Sequence, residues 1–268
     1  KAGVDWIKVH VSGLPIRPGK HKGEICTWTL DELKLVCDTA HQFGIPVVGH
    51  CRDSTSTRDA AAAGFDMILH ATYMDDEALT AVVDHKVPLV PTFTFQANLA
   101  DFGAAIGSDE SLREVFRAEI TESVNTLRAA FDAGVPLLTG SESGFSLTPY
   151  GDWHYRELQI FVEDLGMSPL QAINSATEQG ARALRMEGEL GCIKPNYLAD
   201  ILIFDGEPET NVAQLGDADR FRHIIKDGQL VDTSTPLPKQ WHLPGWRVSE
   251  YSEKILTKEL VQSMGLNL

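Results

Sequence analysis

Short apolar runs alternate with helix-period segments along the first half of the chain. Asp5–Val11 reads as a buried strand. After a Gly/Pro-rich loop, Leu30, Leu33, Val36, Cys37 and Ala40 fall at helical spacing. They predict a helix over 29–43, capped by Thr29 ahead of Asp31 and Glu32. Ile45–Gly49 is the next strand, Ser56–Ala63 a helix closed by Gly64, Asp66–Leu69 a strand and Asp75–Asp84 a helix. Pro88–Val90 and Thr92–Phe95 read as strand, Glu110–Phe131 as a long helix, and Val135–Thr139 as a strand running into Gly140-Ser141-Glu142-Ser143-Gly144. Strand-then-helix repetition with short connections predicts a parallel sheet with right-handed crossovers. Its period suits an α/β fold of the (β/α)8 TIM-barrel type.

Helices are predicted around 153–165 and 169–184, and then the pattern changes. Leu190–Pro195, Ala199–Phe204, Arg222–Lys226 and Gln229–Val231 read as short strands joined by turns such as Asp227-Gly228. The expected division is barrel over 1–187, a small β-rich segment over 188–231, and a tail over 232–268 with a helix at 250–264.

In a barrel of this type, chemistry sits at the C-terminal ends of strands. Lys8, His50, His70 and Glu142 all occupy such ends. Lys8 stands out because buried strands rarely contain lysine. A lysine there is a functional amine, or it takes up carbon dioxide and becomes a carbamate, an anionic oxygen ligand able to bridge two metal ions. Each residue alone has a bland reading: a strand-end histidine is more often a hydrogen-bonded structural group, and Lys8 can snorkel to solvent. Taken with Lys8 and with the family resemblance of the C-terminal segments given below, the two histidines read as a metal centre. His10 lies on the Lys8 face by strand alternation, and either lines the pocket or caps the sheet. Arg52 and Tyr73, just past His50 and His70, are candidates for a substrate carboxylate or carbonyl, although loop arginines usually face solvent. Phe93, Phe95 and Phe102 read as core more readily than as a pocket wall.

Composition narrows the function class. The chain has 268 residues, 43% hydrophobic, enough for one large α/β domain with an appendage. A net charge of −15 argues against a nucleic-acid partner. No apolar run is long enough to span a membrane. Cys26, Cys37, Cys51 and Cys192 lack CxxC spacing and read as reduced thiols, which points to a cytoplasmic setting. The opening Lys-Ala-Gly-Val-Asp reads as the last turn of a helix, and hence as the C-terminal portion of a longer protein.

Three stretches carry a family resemblance. They are Ser168-Pro169-Leu170-Gln171-Ala172-Ile173 with Ala176-Thr177, Leu190-Gly191-Cys192-Ile193 with Leu198-Ala199-Asp200-Ile201-Leu202-Ile203, and His223-Ile224-Ile225-Lys226-Asp227-Gly228. Together they resemble the end of an amidohydrolase-superfamily protein, and the upstream residues are similar to its prolidase-like and imidazolonepropionase-like branches. The resemblance implies that barrel strands four to eight and part of a small β-sandwich lie here. It implies Lys8 as the carboxylated bridging ligand, His50 and His70 as ligands of one or two divalent ions, zinc first, and Glu142 as metal ligand and proton carrier. It places His154 near the substrate. The implied activity is metal-dependent hydrolysis of a C–N bond in a small amide, peptide, carbamate or urea.

Two departures stand out. The HxH pair of the family is absent, so a missing N-terminal segment is expected to supply it. Glu142 stands where the family has aspartate, which moves the carboxylate by about one C–C bond length. The alternatives are a degenerate barrel that binds a ligand without catalysis, a deaminase of the same superfamily, and one half of a split barrel. A homo-oligomer is expected by analogy with relatives.

Overall fold

The computed structural model describes residues 3–13, 23–234 and 247–266. It divides into two compact units. The first comprises Lys1–Thr92 with Arg117–Leu138, the second Phe93–Phe116 with Thr139–Leu268.

The first unit is a parallel sheet with helices between its strands. The strands are β1 (Ile7–His10), β2 (Val47–Cys51), β3 (Met67–His70) and β4 (Leu89–Val90), side by side in chain order. The segment expected as a strand at 135–139 contributes one parallel bridge, Leu137 to Leu89. Pro136 supplies no N–H and β4 is only two residues long, so the ladder stops there. The connecting helices are α1 (Leu30–His41), α2 (Ser54–Ala63) and α3 (Asp76–His85). Each starts on a side chain that satisfies an orphan amide. Thr29 and Glu32 form a capping box, Asp53 accepts from Ser56 N–H, and Asp75 accepts from Ala78 N–H. Asp53 is why α2 begins at Ser54 rather than at the expected Ser56. Leu33, Cys37 and Ala40 of α1 and the small residues Ala60, Ala61 and Ala63 of α2 face the core.

One strand departs from expectation. β1 is not buried on both faces: Val9 is buried, whereas Lys8 and His10 are exposed. Its one strand neighbour among the described residues is β2.

The second unit begins with α4 (Phe93–Phe102), every residue of which except Asp101 is buried. Thr92–Phe95 were expected to be strand. Instead the N–H groups of Phe93 and Thr94 donate to the buried Glu157 carboxylate at 3.1 and 2.7 Å, which starts a helix. The helix α5 (Glu110–Asp132) runs on into the first unit. It is followed by α6 (His154–Glu163), α7 (Pro169–Ala176) and α8 (Glu178–Ala183). The single helix expected at 169–184 breaks at Thr177, which leaves the helical region at φ −119° and ψ −88°. A separate antiparallel sheet follows, β5 (Ile201–Phe204), β6 (Phe221–Lys226) and β7 (Gln229–Leu230). Leu190–Pro195 is bend and turn, not strand. There Gly191 lies at φ +86°, and an added Cβ would come 2.8 Å from the Thr177 carbonyl. The tail helix α9 is short, Lys258–Ser263, because Thr257 caps it. Among the described residues, no helix is long and apolar enough to cross a membrane.

Candidate metal centre

Three imidazoles meet at the C-terminal ends of β1, β2 and β3. His10 stacks on His50 with ring centroids 4.6 Å apart, and His70 meets His50 edge-on at 4.5 Å. Register alone would not do this. His10 and His50 are in-register partners, but the partner of His70 is Cys51. The backbone turns left-handed at His70 (φ 70°) and Ala71 (φ 51°), and this brings the His70 ring to the His50 side. Left-handed backbone costs a non-glycine residue about 1–2 kcal/mol. Such strain gathers where geometry serves a site.

The hydrogen-bond network assigns the ring protons. His50 Nε2 lies 2.7 Å from Glu24 Oε2, a carboxylate that only accepts, so Nε2 carries the hydrogen. His70 Nδ1 lies 2.5 Å from Thr92 Oγ1, whose own hydrogen goes to the Pro91 carbonyl at 2.6 Å. Hence His70 Nδ1 donates to Thr92. The remaining nitrogens, His50 Nδ1 and His70 Nε2, face each other at 2.9 Å. That is hydrogen-bond distance, and a proton or a metal ion between the two nitrogens would satisfy both. Burial first, then the positive fields of His50, Arg52 and Lys8, hold the His70 imidazole well below its ordinary pKa, so it is neutral at pH 7. Burial, His50 and Lys8 lower His10 as well, against the pull of Glu24.

A divalent metal takes histidine with one nitrogen toward the ion and the other anchored; His50 and His70 are each anchored through one nitrogen and turn the other toward its neighbour. Two nitrogens sharing a tetrahedral Zn²⁺ at about 2.0–2.1 Å each stand about 3.3 Å apart, so the pair fits after opening by a few tenths of an ångström. Among the described residues no cluster of three or more His, Cys, Asp or Glu side chains is arranged around one point for a metal. His50 and His70 supply two donors. Lys8 is exposed on the same strand as His10.

A charged row stands behind the histidines. Arg52 is buried and not in solvent, contrary to the usual habit of loop arginines. Its Nε donates to Glu119 Oε1 at 3.1 Å, and Nη2 donates to Glu119 Oε2. Its Nη1 lies 3.8 Å from Glu24 Oε1. Ser12 Oγ donates to Glu24 Oε2 at 3.2 Å and accepts from Arg52 N–H at 2.9 Å. Burial works to raise the Glu24 carboxyl, but the His50 hydrogen bond, the His50 and Arg52 charges and the Ser12 hydroxyl outweigh it and hold it below its usual value. Tyr73 is half-buried, with φ 58° and its N–H on Ser123 Oγ. Burial and the charge of Glu119 push its phenol up, so it stays protonated.

Glu24, Thr92 and Glu119 were not legible as site residues. Glu119 left a signal: with Phe116, Ser123, Leu127 and Ala130 it is one of the buried positions of α5, where an acid is out of place. Glu24 and Thr92 left none.

Glu142 and His154 belong to the second unit. Glu142 sits at φ 49°, and its carbonyl accepts from Thr148 Oγ1 at 2.7 Å. His154 Nδ1 lies 3.2 Å from Ser141 Oγ, itself 2.7 Å from Ser143 Oγ. Ser141 and His154 border a cavity of about 680 Å³ whose lining includes Tyr155, Ile173, Ile201 and Phe221 together with Glu157 and Asp200. Phe93, Phe95 and Phe102 are buried core.

The Amidohydrolase family pattern matches residues 22–231. Ochratoxinase of Aspergillus niger is 24% identical over 232 residues, 86% of this chain and 47% of that protein. Imidazolonepropionase of Nocardia farcinica is 27% identical over 174 residues, 64% of this chain and 38% of that protein. Among solved structures, a Xaa-Pro dipeptidase with bound methionine in its active site superposes with a TM-score of 0.73 at 29% identity, covering 86% of this chain and 55% of that one. The chain thus spans about half the length of the relatives it matches. By the extent of the family match, and by the hydrolases it resembles in sequence and fold, this chain belongs to the amidohydrolase family.

Proposed function

We propose that the chain carries the second half of a metal-dependent hydrolase acting on a C–N bond in a small amide, peptide, carbamate or urea. The observation that carries this reading is the facing pair, His50 Nδ1 and His70 Nε2 at 2.9 Å, with each ring anchored through its other nitrogen. His50 and His70 hold the ion, zinc before its transition-metal neighbours. When bound, the metal polarises the scissile carbonyl and lowers the pKa of water towards about 7. Lys8 joins as a carbamate formed with carbon dioxide, and its exposed amine leaves it open to that reaction. Glu142 takes a proton and returns it to the leaving nitrogen. His10, Tyr73 and His154 contact the substrate, with Tyr73 donating from a phenol that stays protonated. Arg52, given to Glu119, serves the site through charge rather than by direct contact. The rest of the donor set, an HxH pair included, comes from sequence outside this chain.

The test is metal content per chain, measured by elemental analysis on protein isolated without chelators, followed by hydrolysis of a panel of dipeptides, N-acyl amino acids and phenylureas. One or two equivalents of zinc, lost in His50→Ala and His70→Ala, with turnover lost in parallel, is the expected result. A folded, metal-replete protein that cleaves none of the panel supports a ligand-binding barrel instead, and a Glu142→Gln variant with full turnover removes the proton-transfer role.

A further inference from the structure

We infer that Glu24 is a positioning residue, which fixes the ring of His50 so that Nδ1 points at His70. The inference rests on the metal-centre reading above and extends it to a residue on a loop that no strand end contains.

The loop is built to deliver this carboxylate. Gly23 lies at φ +78°, and a Cβ there would fall 1.8 Å from the Arg52 carbonyl oxygen, so only glycine permits the approach. Next to it, Glu24 N–H donates to that same carbonyl at 3.2 Å. Glu24 is thereby laid against Arg52, just beyond the end of β2 and two residues past His50. The carboxylate then divides its oxygens. Oε2 takes His50 Nε2–H at 2.7 Å and the Ser12 hydroxyl at 3.2 Å, while Oε1 faces Arg52 Nη1 at 3.8 Å. Both Glu24 and His50 side chains are only 12% exposed, so water competes weakly for the contact. Arg52 is itself held by Glu119, whose side chain is fully buried. The row Glu119–Arg52–Glu24–His50 thus runs from a helix stripe to the ring nitrogen. Its effect is on tautomer and direction: with Nε2 protonated and held, the lone pair of His50 resides on Nδ1, the atom 2.9 Å from His70 Nε2. Without the carboxylate the ring is free to flip or to place its proton on Nδ1, and the donor pair is lost. A carboxylate behind a ligating histidine also raises its basicity.

The experiment uses the full chain, with zinc as the probe. Zinc affinity is measured by chelator competition for the wild type, Glu24→Gln and Glu24→Leu. In parallel, long-range ¹H–¹⁵N spectra report which ring nitrogen of His50 carries hydrogen. Glu24→Leu is expected to bind zinc about 10–100-fold more weakly. Glu24→Gln, whose amide oxygen still accepts from Nε2, is expected to fall between. The wild-type spectrum is expected to show hydrogen on Nε2, and Glu24→Leu to lose that fixed assignment. A folded Glu24→Leu with wild-type affinity and an unchanged His50 spectrum overturns the inference. So does a wild-type His50 whose Nε2 carries no hydrogen, a result that needs no variant to fold. A wild type that binds no zinc but shows Nε2–H lost in Glu24→Leu removes the hydrolase reading and leaves the hold of Glu24 on His50 standing.

Discussion

Arg52 and Glu119 show how far a single residue can lie from what its sequence context suggests. Both are buried and joined by a two-pronged pair. Removing one partner strands the other charge, which costs about 3–5 kcal/mol, whereas removing both for apolar groups is close to neutral. Arg52→Met is therefore expected to lower the urea midpoint sharply, and Arg52→Met with Glu119→Leu to recover most of that loss; equal losses in the single and double variants would contradict the pairing. The thiols give a second residue-scale expectation. Burial, aided by Asp66, pushes Cys37 up to about 12, and burial with Asp53 pushes the fully enclosed Cys51 well up. Thiolate is the reactive form, and for Cys37 at pH 8 its fraction is on the order of one in ten thousand. Mass spectrometry after iodoacetamide treatment at pH 8 is expected to find Cys37 and Cys51 unmodified in the folded protein and modified in urea. His50 and His70 were readable because two histidines close successive apolar runs. Glu24 was not, because a loop carboxylate has no periodicity, and its meaning comes from the glycine that lays it on Arg52.

At the scale of elements, boundaries were legible wherever the signal is local. Thr29 with Glu32, and Ser168 with Gln171, place helix starts through contacts three residues long. The start of α4 has no such signal. Thr92-Phe93-Thr94-Phe95 alternates like a strand, and it is the Glu157 carboxylate, more than sixty residues on, that takes the first amides and makes it helical. Glu157→Leu is expected to leave the Phe93 and Thr94 N–H groups unsatisfied in the core, at about 1–3 kcal/mol each. The check is a lower Tm together with faster amide exchange over 93–97; protected amides there would show that α4 starts without the carboxylate. β2 depends on a missing side chain: a Cβ on Gly49 would lie 2.9 Å from the Phe65 ring. Gly49→Ala must therefore displace Phe65 or the strand that carries His50, and a fall in both Tm and zinc uptake is expected.

Across the whole molecule, the sheets differ in how deeply they are packed. β2 and β3 pair on both sides, and Val47, Cys51 and Ile68 are fully buried. β5–β7 is a three-stranded sheet with Leu202, Ile203 and Leu230 exposed. Opening free energy follows buried apolar contact, so amides of β5–β7 are expected to exchange well before those of β2 and β3. Hydrogen-exchange mass spectrometry resolves the two, and equal protection would contradict the difference in packing.

Alternating strand and helix signals, capping residues and glycine stops are properties of neighbours in the chain, and they were enough to determine a parallel α/β unit, a separate antiparallel sheet and the histidines at two strand ends. The family segments over 168–228 are likewise local patterns. What only the tertiary structure decided is everything set by contacts between distant residues. Among the described residues it left β1 with one strand neighbour and Lys8 exposed; it turned Phe93–Phe95 into the first turn of a helix, buried Arg52 on Glu119, and turned His70 through a left-handed backbone to face His50. A lone pair has a direction only once its partner nitrogen is held, and the groups that hold these two, Glu24 and Thr92, lie 26 and 22 residues away along the chain.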